Sequence, residues 1–332
     1  MVELAGPILQ SLLLGSLYAM MALGLTMTYR VTKVPNFAHA EFVTIGGYMG
    51  VVTLQAFGTS LVFFSEDPFG ATLQMAGAIA AAFAVGAVVA LGTDELVFKP
   101  LAARGATPLH LLVASIGVGL ILRYILFIVV ATYDMLIVTA PMPKEVVARV
   151  GAGVLTNLHL WVIPTVLISV VALHLLFTRA KIGKGMRAMA SNLDLAKVSG
   201  IPTAKARRFT WIIAGGLAGT AGALFAIDVP FSPETGWGIL LWMFSAAILG
   251  GFVSFLGTIL GGYIVGFAEN LGIVLLHNLF AVPLSYRPLI ALVIIVIVFL
   301  WRPTGLLGGT PVDLRGSIRR LLTRLRRPFG AG

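Results

Sequence analysis

The sequence predicts an all-α, polytopic transmembrane helical bundle of about eight to nine spans. Three observations carry this. Of 332 residues, 58% are hydrophobic and only 11% charged, with a mean hydropathy of +1.00; a soluble globule carries about 25% charged residues. The apolar residues gather in runs near the roughly 20 residues a helix needs to cross hydrocarbon. Lysine and arginine concentrate in alternate connecting segments, as in chains oriented in a bilayer.

The expected spans are 7–29, 37–57, 72–97, 109–131, 159–177, 209–228, 238–253, 255–276 and 286–301. The stretch before the first lacks the basic region of a secretory signal, so that run is expected to be a retained span. The second opens on VPNFAHAEF, residues 34–42. Pro35 keeps Val34 out of a helix. Asn36 is then placed to cap the second helix, with Glu41 about one turn inside. That helix start lies at the cytoplasmic side, or part-way in if the helix is broken. The fourth span carries Arg123 in its outer half, where the side chain is expected to snorkel. Residues 238–276 hold one charge, Glu269, and many glycines. They read as two spans or as a span with discontinuous or re-entrant helices. The pairs Gly46/Gly50, Gly215/Gly219, Gly257/Gly261 and Gly262/Gly266 are small-xxx-small spacings that let helix backbones approach.

With nine spans and the N-terminus outside, 19 of the 23 Lys and Arg residues fall on the cytoplasmic side, leaving Arg123, Lys144, Arg149 and Arg287. The expected product is a multi-pass protein of the cell (inner or plasma) membrane with a cytoplasmic C-terminus. Residues 1–308 form the transmembrane domain, with a cytoplasmic loop at 178–208. Residues 309–332 form a basic tail, in which Arg315, Arg319, Arg320, Arg324, Arg326 and Arg327 interleave with leucines. Such a tail suits an anionic leaflet, and the membrane context speaks against a nucleic-acid partner.

Enzyme chemistry has little to stand on. There is no G-x-x-x-x-G-K-[ST] phosphate loop and no H-E-x-x-H, the five histidines are scattered, and there is no cysteine. No catalytic residue, metal or cofactor is expected. Asn36, His39, Glu41, Glu269 and Asn270 are intramembrane polar residues, costly in lipid and therefore candidates for a translocation pathway. The alternative is a structural contact between helices. In the 178–208 loop, Ser191 or Asn192 can cap a short helix that Gly200 and Pro202 stop. Leu193, Ala196 and Val198 give it an apolar side. It reads as a partner-docking element or as an interfacial helix on lipid headgroups.

The chain resembles the membrane permease subunits of branched-chain amino-acid ABC importers, from Gly15 to about Gly308. The resemblance rests on Gly15-Ser16-Leu17-Tyr18-Ala19 with Ala22 to Thr26, on Asn36-Phe37-Ala38-His39 with Glu41-Phe42, and on Gly183 to Ile201. It continues in Ala214 to Gly222, Leu249-Gly250-Gly251, Gly261-Gly262 with Ala268-Glu269, and Arg302 to Gly308. The family usually has Gly where this chain has Ala40. The early spans look like the first, shorter permease type. The resemblance implies an importer with two permease subunits, the second homologous to this one. Two cytoplasmic ATP-binding subunits and an extracytoplasmic solute-binding protein complete it. It also implies that 183–201 is the coupling segment for the ATPase, through Gly183, Gly185, Met186, Arg187, Ala188, Asn192, Ala196 and Gly200. ATP hydrolysis then lies on another chain, and the solute is leucine-, isoleucine- or valine-like. The alternatives are a permease for urea, amides or another small solute, an ion-driven secondary transporter using Glu269, Glu41 and His39, and a channel.

Overall fold

The computed structural model describes residues 4–60, 68–142, 144–151, 153–302 and 304–307. The basic tail lies outside them. All nine apolar runs are helical. In order they are α1 (Ala5–Thr32), α2 (His39–Ser60), α3 (Pro68–Thr93), α4 (Lys99–Ala103), α5 (Pro108–Thr132), α6 (Asn157–Arg179), α7 (Lys181–Ser191), α8 (Leu193–Val198), α9 (Thr203–Asp228), α10 (Thr235–Gly250), α11 (Phe255–Phe280) and α12 (Arg287–Trp301). Among the described residues, seven helices are long and apolar enough to cross a membrane, and α10 is a shorter apolar helix.

α1 and α9 are the centre. Every residue of α1 from Leu13 to Thr28 is buried, as is every residue of α9 from Ala214 to Ala226. A helix apolar all round has no amphipathic face to present, so it belongs inside a bundle. α5, α6 and α12 pack on the outside and turn most of their apolar residues outward. Small residues set how closely the central helices approach. A side chain at Gly46 would collide with Gly219, and one at Gly86 with Gly215. These crossings run α2 parallel and α3 antiparallel to α9. Gly262 and Gly266 of α11 lie against Ala19 and Gly15 of α1. The small-xxx-small spacings are therefore sites of close backbone approach.

Residues 238–276 form an antiparallel hairpin. Gly251, at φ +88°, opens the turn after α10, the Ser254 hydroxyl caps α11 by accepting from Gly257 N at 3.0 Å, and Gly250 meets Gly257. With 16 residues, α10 is about 24 Å long, short of the roughly 30 Å hydrocarbon thickness.

Three features differ from the expectation. The sixth run begins at Thr203 rather than at 209, so much of the supposed loop is helix. α3 runs into a π-helical turn, Asp94–Phe98, before α4. There Arg207 Nη2 binds Asp94 Oδ1 at 2.6 Å, and Arg208 Nε binds Glu95 Oε1 at 2.5 Å. Thus two adjacent carboxylates hold two adjacent arginines of α9. Lastly, strands β1 (Val146–Val150) and β2 (Gly153–Thr156) form a small antiparallel hairpin between α5 and α6, at the opposite end from α7 and α8. At that end Lys144 Nζ pairs with Asp228 Oδ1 at 2.9 Å.

Candidate functional site

The VPNFAHAEF stretch does not cap α2 in the simple way its sequence suggests. The helix begins at His39, three residues after Asn36. The Asn36 side chain instead closes a turn ahead of it, Oδ1 accepting from Ala38 N at 3.1 Å. His39 N then donates to Asn36 O at 3.3 Å. The start is well inside the bundle. The His39 ring lies against Gly24, eight residues before α1 ends, which is about 12 Å of helix. Nε2 of His39 donates to Met21 O at 3.2 Å. Asn36 faces a void of about 10 Å³ beside Ser115 and Trp211, too small for a solute.

Glu41 is buried and ion-paired. Arg123 donates to Glu41 Oε1 from Nη2 at 2.7 Å and from Nε at 3.2 Å. The guanidinium also lies 4.6 Å from the Trp237 ring centroid of α10. Arg123 therefore does not snorkel. Its side chain is only 12% exposed, because a buried carboxylate in low dielectric is a stronger partner than the distant interface. No local sequence signal joins the two residues, which are 82 positions apart.

Glu269 and Asn270 form a separate group toward the other end of α1. Glu269 is buried with the Tyr18 hydroxyl as its side-chain partner. Asn270 Nδ2 donates to Pro7 O at 3.1 Å, and Arg287 Nη2 donates to Asn270 Oδ1 at 2.7 Å. The five polar candidates thus divide into two groups, both packed on α1.

The 183–201 segment is two helices. α7 buries Gly183, Gly185, Met186 and Met189 and exposes Lys181, Lys184 and Arg187, with Ala188 half-buried. A side chain at Gly183 would strike the backbone of Leu176 in α6, and Gly185 lies against Ile201 and Ala206. Asn192 caps α8, Oδ1 accepting from Asp194 N at 3.1 Å and Leu195 N at 3.0 Å. Gly200, at φ +73°, ends it. The expected apolar side of α8 is corrected: only Ala196 packs inward, while Leu193, Leu195 and Val198 project outward, Val198 at 87% exposure. Beside α7 is an open groove of about 690 Å³ lined by Lys184, Ala188, Ile201, Pro202 and Lys205 among others. Lys33 Nζ reaches Ala190 O at 2.6 Å, tying α7 to the α1–α2 connection.

The described residues contain no cluster of three or more His, Asp or Glu side chains able to hold a metal ion. Residues 7–299 match the family described as the permease component of branched-chain amino acid transport systems. The chain belongs to that family. It is 33% identical to the probable branched-chain amino acid transport permease LivH of Methanocaldococcus jannaschii, over 94% of each chain. To the high-affinity branched-chain amino acid permease BraD of Pseudomonas aeruginosa it is 27% identical, over 92% of this chain and 96% of that one. To LivH of Escherichia coli it is 27% identical, over 90% and 94%. No solved structure matches. The permease family accounts for the many apolar helices and makes the chain a multi-pass transport subunit rather than an enzyme.

Proposed function

We propose that this permease is a membrane subunit of an ATP-driven importer for branched-chain amino acids, with α7 and α8 as the docking element for a cytoplasmic ATP-binding subunit. The observation that carries the reading is α8. It projects Leu193, Leu195 and Val198 outward from a scaffold that is capped at Asn192 and pinned by Ala196. These apolar side chains flank the exposed Asp194–Lys197 pair, and a short capped helix presenting such a mixed face suits a groove on another protein. The groove beside α7 offers the complementary recess.

In this arrangement α7, α8 and the paired arginines of α9 face the cytoplasm. The N-terminus and the β1–β2 hairpin face outside, toward a solute-binding protein. Two ATP-binding subunits and a second, homologous permease complete the importer, and ATP is hydrolysed on those other chains. The transmembrane domain runs to about residue 308, and the charge of the basic tail suits an anionic leaflet. The solute assignment follows the names of the relatives. Asn36 and His39 act as structural contacts around the inner start of α2.

The test uses the complete importer in proteoliposomes. Ala188→Glu or Arg187→Glu places a carboxylate in the docking face. The expected result is ATP hydrolysis without matching uptake, or loss of stimulation by the loaded binding protein. Unchanged uptake per ATP hydrolysed removes the docking assignment.

A further inference from the structure

Asn36, in the turn before α2, shares its void with a tryptophan. Asn36 and Trp211 of α9 both line the space of about 10 Å³ at the inner end of the bundle. Both side chains are buried, Trp211 completely and Asn36 to 3% exposure. Each brings an N–H donor that has no hydrogen-bond partner among the described residues, Nδ2 of Asn36 and Nε1 of Trp211. The other end of the Asn36 amide fixes its orientation. Oδ1 accepts from Ala38 N at 3.1 Å, a role that Nδ2 cannot fill.

Ser115 of α5 lines the same void. Its hydroxyl donates to Leu112 O at 2.7 Å and accepts from Phe37 N at 3.2 Å. A hydroxyl has one proton and two lone pairs, so one lone pair of Ser115 Oγ is left over. None of the eight residues lining the void carries a charge.

We infer that the void is a binding site for one water molecule, which joins the turn before α2 to α5 and α9. The water accepts from Asn36 Nδ2 and Trp211 Nε1 and donates to Ser115 Oγ. Three bonds is the usual complement of a buried water, and about 10–15 Å³ is the room it needs. Size and charge choose this occupant. An amino acid does not fit, and an anion would sit among neutral groups with no cation to balance it. Two buried N–H groups without an acceptor are costly in a protein interior. Asparagine suits the position because its two ends do different work: Oδ1 closes the turn and Nδ2 holds the water. The site lies where several elements meet. Phe98 of the π-helical turn also lines the void and stacks on Trp211, ring centroids 5.3 Å apart. Lys33, three residues before Asn36, reaches α7.

The test is a cryo-electron map of the complete importer at a resolution that shows ordered water elsewhere in the bundle. A peak within about 2.7–3.2 Å of both Nδ2 and Nε1 is expected. A map that resolves other buried waters but shows no peak there, or in which either N–H bonds directly to protein, overturns the site. Thermal unfolding of the full-length permease in detergent tests the joint. Trp211→Phe keeps an aromatic ring against Phe98 and removes one donor, and Ser115→Ala removes the acceptor. Both act on one water, so the double variant is expected to lose less in melting temperature than the sum of the two single losses. Losses that add in full overturn the joint between α5 and α9.

Discussion

At the scale of single residues, the Glu41–Arg123 pair is the most exposed to test. Both partners are in a low-dielectric interior, and removing one strands the other. Arg123→Ala is expected to destabilise the permease by about 3–5 kcal/mol, with Arg123→Lys milder because a point charge survives without the fork geometry. Thermal unfolding in detergent compares the three, and equal melting temperatures would show that the pair contributes nothing. Asn192→Ala removes two backbone donors' acceptor at the start of α8 and is expected to cost about 1 kcal/mol of helix stability. Its signature is faster amide hydrogen exchange over Leu193–Val198, with the membrane helices unchanged. These residues differ in how legible they were. Asn192 and Gly200 could be read from the sequence because caps and stops are local. The partnership of Glu41 with Arg123 could not, because it spans 82 positions and depends on where two helices cross.

At the scale of elements, the glycine crossings decide the packing. Gly46→Leu or Gly219→Leu is expected to abolish accumulation of the permease in membranes, since the opposing backbone has nowhere to go. Gly92 and Gly117 have no atom within 4 Å of a built side chain, so Gly92→Ala and Gly117→Ala are expected to accumulate normally; immunoblots of membrane fractions compare all four. The Asp94–Arg207 and Glu95–Arg208 pairs fix α3 to α9 close to α8. Arg207→Glu is expected to lower membrane accumulation, and the double exchange with Asp94→Arg to recover part of it. The spans were legible because hydrophobic runs of membrane length have few other solutions. The π-helical turn and the true start of α9 were not, because polar residues at a helix end look like loop until their partners are known. The Asp94-Glu95 and Arg207-Arg208 doublets are visible in the sequence, 113 positions apart, but nothing local matches them to each other.

At the scale of the whole molecule, the parallel and antiparallel crossings fix which ends share a side, and the proposed orientation puts the end richer in lysine and arginine in the cytoplasm. The chain has no cysteine, so single-cysteine variants read topology without background. Leu195→Cys is expected to react with an impermeant maleimide only from the cytoplasmic side, and Val147→Cys, on an exposed strand, only from outside. Reversed labelling would invert the proposed orientation and place α8 out of an ATPase's reach. This permease is expected to move branched-chain amino acids only as part of an ATP-driven assembly. The most direct measurement is accumulation of labelled leucine in proteoliposomes. Uptake is expected when the ATP-binding subunits, the second permease, the loaded binding protein and ATP are all present, and none when ATP is withheld. Accumulation by this chain alone, driven by a proton or sodium gradient, would contradict it.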